Sequence, residues 1–128
     1  MKIKLTSLMV DDQDKALQFY TSVLGFRKKH DIPAGGYRWI TVTSPEGPDD
    51  VELSLEPNVN PAAKTYQAAM FAQSIPLAAF EVTGIQAEFK RLKSLGVVFI
   101  GEPANMGPVT IAIFSDTCGN LIQLYEPS

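Results

Sequence analysis

A carboxylate at Glu52, an amide at Gln123 and aromatic rings at Trp39 and Tyr125 share one setting in this chain. Each stands in a short run of alternating apolar and polar residues. Such a run is a strand with two unlike faces, so these groups gather on one sheet surface. There Glu52 is either a solvated carboxylate or a working acid, base or hydrogen-bond acceptor, because a carboxylate withdrawn from water needs a partner. Glu81 lies near the end of its own run, where solvent exposure is the simpler role. If the two carboxylates do share a pocket, their repulsion raises one pKa and supplies a general acid. Trp39 and Tyr125 can sandwich a flat ligand or serve as core or interface rings.

The other reactive side chains have fewer partners. The chain has one histidine and one cysteine. His30 closes a polar stretch before "DIPAGG" and reads as an exposed or strand-end residue. Cys118 sits in the turn "DTCGN" and reads as an exposed hairpin residue, with no base close in sequence. Arg38 falls on the opposite side of its strand from Trp39 and takes no role. The sequence has no phosphate loop, Gly-rich dinucleotide signature or Ser-centred elbow.

The elements that must position these residues occur twice. "KIKLTSLMV" is a strand, and "DDQDKALQFYTSVLGF" changes to helical period, with Asp11 or Asp12 as cap and Gly25 as stop. Strands follow at 26–32, 37–43 and 51–55. "PLAAFEV" and "GIQAEFKRLKSLGV" then repeat the strand and helix, and strands follow near 97–101, 108–115 and 120–125. Gly25 to Gly96, Ser44 to Ser115 and Glu52 to Gln123 are each 71 residues apart. Ile40 and Val42 fall on Ile111 and Ile113 at the same offset. The pattern predicts an α+β domain over 1–128 made of two βαβββ modules, 1–57 and 75–128, with a helical linker at 58–74. Asn60 caps the linker and Pro61 suits its first position. Apolar residues on the helix side leave Trp39, Thr41, Thr110, Phe114 and the strand positions Glu52, Glu81, Gln123 and Tyr125 on the other face. Two sheets curling away from their helices make a cup, a suitable small-molecule site.

Composition narrows the partners. Formal net charge is −3, so nucleic acid and anionic membrane are not expected. No apolar run reaches membrane-spanning length. "MKIKLTSLMV" reads as a strand rather than a leader, and a single cysteine suits a reducing cytoplasm.

"VDDQDKALQFYTSVLGF" with a terminal D-x-x-G-N-L-I-Q-L resembles the vicinal oxygen chelate superfamily of glyoxalases, bleomycin-resistance proteins, fosfomycin-resistance enzymes and extradiol dioxygenases. The resemblance implies paired modules around a cupped site and a homodimer, which exposed sheet edges and an apolar linker also favour. It places the metal positions of glyoxalase-like members at Leu5, Glu52, Leu77 and Gln123. Leucine has no donor atom and Gln123 offers a neutral amide, so no divalent metal or other cofactor is expected. The reading is a metal-independent binder of a small organic molecule, with Glu52 as the best catalytic candidate if chemistry occurs. The alternatives are a lyase, isomerase or dioxygenase with a non-standard ligand set, and a ligand-free interaction module.

Overall fold

The computed structural model describes residues 1–128 and divides into two compact units, Met1–Tyr66 and Gln67–Ser128. The first contains β1 (Leu5–Val10), α1 (Gln13–Gln18), β2 (Arg27–Pro33), β3 (Arg38–Thr43) and β4 (Glu52–Pro57). Helix α2 (Pro61–Ala72) follows, and the unit boundary falls within it. The second unit continues with β5 (Ala78–Glu81), α3 (Ile85–Ser94), β6 (Ala104–Asn105), β7 (Val109–Ser115) and β8 (Leu121–Pro127). Sheet orders β1-β4-β3-β2 and β5-β8-β7-β6 are the same topology. In each, the first strand runs parallel to the last and the other pairs are antiparallel.

In the first unit, Asp12 caps α1 by accepting from the Lys15 N–H at 3.0 Å. The helix runs on into a π turn over Phe19–Val23, and Gly25 ends it at φ +88°. Phe26 then turns back and stacks on Tyr20 at 6.3 Å between centroids. Ala16, Phe19 and Tyr20 bury against the sheet face carrying Leu8, Val10, Ile40, Val42 and Leu55. The Gln13 side chain extends β3–β4 pairing: its Nε2 donates to the carbonyls of Arg38 (2.6 Å) and Leu55 (2.9 Å), and its Oε1 accepts from the Arg38 N–H (3.1 Å). A side-chain amide here imitates a peptide group and satisfies backbone polar atoms beyond the Thr41–Ser54 pair of the two strands. Arg38 forks onto Asp31, Nε–Oδ1 2.9 Å and Nη2–Oδ2 3.1 Å, and also meets Asp14 of α1, so it does lie on the helix side.

The second unit repeats the plan. Ile85, Phe89 and Leu92 are buried, and Gly96 ends α3 at φ +90°. The Glu126 carboxylate accepts from the N–H groups of Gly84 and Ile85 at the start of α3, which holds its pKa below the ordinary value. The expected strand at 97–101 is reduced to one bridge, Phe99 to Phe114, followed by the two-residue β6. Gly101 at φ +75° and Pro103, which lacks a donor, break the run. Asn60 accepts from the Ala62 N–H at 2.9 Å at the start of α2, as expected.

Two further expectations change. Ser54 and Tyr125 are 71 residues apart, yet their partners Thr41 and Ile111 are 70 apart, so β7 has slipped one residue against the offset. A one-residue slip exchanges the faces of a strand. Ile40 and Val42 therefore correspond to Thr110 and Ala112. Phe114 packs toward α3, 5.6 Å from the Phe99 ring, which lies 4.7 Å from Phe89. Thr110 alternates with Phe114 onto that same side, and Ile111 and Ile113 take the opposite face.

Cys118 is fully buried, not exposed. Its N–H donates to Asp116 Oδ1 at 2.7 Å, and Asn120 donates to the same carboxylate through its backbone (3.0 Å) and side chain (2.8 Å). Gln67 of α2 donates to Asn120 Oδ1 at 2.9 Å. The D-T-C-G-N turn is thus a buried polar knot. A Cβ on Gly119, at φ +101°, would lie 2.9 Å from the Gln67 amide. Gly96→Ala, with no atom nearby, should cost about 1–2 kcal/mol through its backbone alone. Gly119→Ala should cost more, and Gln67→Ala in that background should recover part of the difference in a double-mutant cycle read by denaturant melts.

Candidate functional site

The face of the first sheet turned away from α1 carries the polar residues. β4 alternates Glu52 and Ser54 onto it against Leu53 and Leu55, and β3 alternates Trp39, Thr41 and Thr43 against Ile40 and Val42. Ser54 stands opposite Thr41, and Thr41 stands opposite His30 of β2. A register irregularity between Lys28 and His30 produces that last pairing.

These residues form one hydrogen-bonded cluster. The Thr41 hydroxyl donates to Glu52 Oε1 at 2.7 Å. His30 Nδ1 lies 2.8 Å from the same oxygen and 3.1 Å from Thr41 Oγ1. Lys29 Nζ is 3.8 Å from Glu52 Oε2 and donates to the Asp49 carbonyl at 2.8 Å. The imidazole of His30 stacks on Trp39, with centroids 4.4 Å apart and planes 15° from parallel. Thr41 is fully buried, whereas the Glu52 and His30 side chains are 16% and 31% exposed. Ser54 Oγ is buried with no hydrogen-bond partner, an orphan that ordinarily costs free energy.

The Thr41 hydroxyl is the main cause that holds the Glu52 carboxyl below its ordinary value near 4.5. Partial burial opposes it, and the His30 hydrogen bond and the charges of Lys29 and His30 assist. Glu52 is therefore an ionised acceptor at neutral pH.

Trp39, Thr41 and Glu52 thus meet as the sequence places them. His30 joins them, against the expectation of an isolated strand-end residue. The missed signal is the irregularity in the polar stretch "RKKHDIP", which no periodicity displays. In the second unit, Gln123 lies between Ala79 and Ile113, and Tyr125 lies between Glu81 and Ile111. This is the face away from α3. Glu81 is exposed there. Leu77 is not opposite Gln123; Ala79 holds that register and Leu77 precedes β5.

The donor set tests poorly against a divalent ion. Of the positions Leu5, Glu52, Leu77 and Gln123, Glu52 alone carries an ordinary ligand, and Ala79 in place of Leu77 adds no donor. His30 supplies a second candidate beside Glu52, but no three His, Cys, Asp or Glu side chains come together.

Two four-stranded mixed sheets and three helices in the order βαβββ–α–βαβββ define an α+β protein of duplicated modules. The chain belongs to the Glyoxalase/Bleomycin resistance protein/Dioxygenase superfamily, whose family model matches residues 2–124. YurT of Bacillus subtilis (strain 168) is 56% identical over 126 residues, covering 98% of this chain and 99% of that protein. Among solved structures, UcmS2 superposes with a TM-score of 0.84 at 30% identity, covering 98% of this chain and 97% of that one. TnmS3, an antibiotic binding protein from Streptomyces sp. CB03234, gives 0.77 at 29% identity over 100% and 97%.

The depressed carboxyl sets a pH dependence. A folded state that holds Glu52 ionised gains stability above the ordinary value near 4.5 and loses it as pH falls through the lower folded value. Glu52→Gln should therefore flatten the fall in melting temperature on the acid side of that value and leave the dependence between neutral pH and mild alkali unchanged, as read by calorimetry across pH.

Proposed function

We propose that this protein binds a small organic molecule without a divalent metal, on the helix-free face of the β1–β4 sheet. The observation that carries the reading is the Glu52–Thr41–His30–Trp39 cluster, an ionised acceptor and a stacked aromatic pair on one sheet face. Such a face offers shape, stacking and a few directed polar groups, the ordinary makings of a ligand site. Similarity to TnmS3, an antibiotic binding protein, supports a binding role. Leucine at position 5 and an amide at 123 support metal independence. Gln123, Tyr125 and Glu81 are the corresponding polar positions of the second sheet. The half-exposed apolar side chains Tyr66 and Phe71 on α2 support a homodimer.

The test uses the single tryptophan. Trp39 fluorescence should respond to members of a library of planar organic molecules. Glu52→Gln keeps the volume, removes the charge and should weaken binding of a responding molecule by about 1–3 kcal/mol, with unchanged circular dichroism. Fluorescence that stays fixed across the library contradicts the binding role. Elemental analysis should find no stoichiometric divalent metal; one equivalent that disappears in Glu52→Gln contradicts metal independence.

A further inference from the structure

The cluster also fixes which hydrogen-bonding group the ligand presents, an inference that rests on the binding role proposed above. A carboxylate accepts and does not donate. Glu52 Oε1 already receives the Thr41 hydroxyl proton at 2.7 Å, and His30 Nδ1 is 2.8 Å from the same oxygen. For that contact to be attractive, Nδ1 must carry the proton. Neutral His30 is then the Nδ1–H tautomer, and its Nε2 holds a lone pair. The ring's hydrogen bonds within the chain all run through Nδ1. At 31% exposure, the side chain leaves Nε2 accessible as an acceptor.

The ring plane adds a second constraint. A donor meets Nε2 in the plane of the imidazole, along its lone pair. That plane lies within 15° of the indole of Trp39. The hydrogen bond alone leaves rotation about its axis, and a flat molecule that donates to Nε2 while lying in the imidazole plane runs parallel to Trp39. Planarity and an in-plane O–H donor are satisfied together by an aromatic hydroxyl.

We infer that His30 Nε2 is the specificity-determining acceptor of the site, selecting planar aromatic ligands that carry a phenolic hydroxyl over the same ring systems with that hydroxyl capped. Glu52 and Thr41 act as positioning residues by fixing the tautomer. Fold-level binding alone gives no such preference. A capped phenol is the more apolar molecule, so simple burial favours it. Selection of the free phenol requires the hydrogen bond.

Because the chain has one histidine and one tryptophan, both readouts are free of overlap. The tautomer is read by long-range proton–nitrogen correlation on uniformly nitrogen-15-labelled protein at neutral pH. The selection is read by titrating Trp39 fluorescence with 2-naphthol and with 2-methoxynaphthalene. The expected result is a protonated Nδ1 and an unprotonated Nε2 whose resonance moves upfield when 2-naphthol is added. The phenol should bind about tenfold tighter than the ether. His30→Phe, which keeps a ring over Trp39, should abolish the preference for the phenol and bring the ratio to about one or below, in favour of the ether. A protonated Nε2 in the free protein, or equal affinities with normal Trp39 quenching, overturns the inference and leaves the binding role standing. Absence of quenching by both probes overturns the inference, while the library titration separately decides the broader role. If His30→Phe does not fold, the Nε2 shift in the unaltered protein decides alone.

Discussion

One carboxylate oxygen organises the polar face of the first sheet. Glu52 Oε1 takes the Thr41 hydroxyl and faces the Nδ1 of His30, so three adjacent strands are joined through one acceptor. Without that acceptor the buried Thr41 hydroxyl keeps only the longer contact to His30 Nδ1, and the imidazole loses the contact that selects its tautomer. Glu52 is ionised at neutral pH, as an ordinary glutamate is, and the Thr41 hydroxyl is the largest of the influences that lower its carboxyl further. Trp39 completes the set by stacking on the ring that Glu52 orients.

The duplicated plan explains why this cluster has no second copy. β4 and β8 correspond in topology, and Glu52 corresponds to Gln123 at the repeat offset. The neighbours of Gln123 are Ala79 and Ile113, which offer no side-chain hydrogen bond. The second unit instead concentrates its buried polar groups in the turn before β8, where Asp116, Asn120 and Gln67 satisfy one another. One module thus carries an accessible polar cluster on its sheet face, and the other carries a sealed polar knot in a turn. The two use similar residue types for different purposes because burial differs: Asp116 and Asn120 are fully enclosed, whereas Glu52 and His30 retain exposure.

Much of this was legible in the sequence. Helical spacing located α1 and α3, the Gly25 and Gly96 stops named their ends, and a steady offset implied the repeat. The helix-free positions of Trp39, Thr41 and Glu52 followed from alternation. One expected element, the strand at 97–101, shrank to a single bridge, and the other failures were finer than an element. A one-residue change of register in β7 sent Phe114 and Thr110 to the helix side, and offsets alone do not detect a slip within one strand. His30 joined Glu52 through an irregularity in β2, where the polar stretch carries no alternation to read. Cys118 looked exposed because small polar residues and glycine surround it. Its burial comes from the carboxylate of Asp116, which replaces water for the turn's N–H groups.

The Thr41 hydroxyl, more than any other group, lowers the Glu52 carboxyl. A carbon-13 titration of the glutamate side-chain carboxyls, with the Glu52 resonance identified by its loss in Glu52→Gln, tests this directly. The expected Glu52 midpoint lies below the ordinary value near 4.5 and moves back up in Thr41→Val. A midpoint at or above that value in the unaltered protein, or one that Thr41→Val leaves in place, would contradict it.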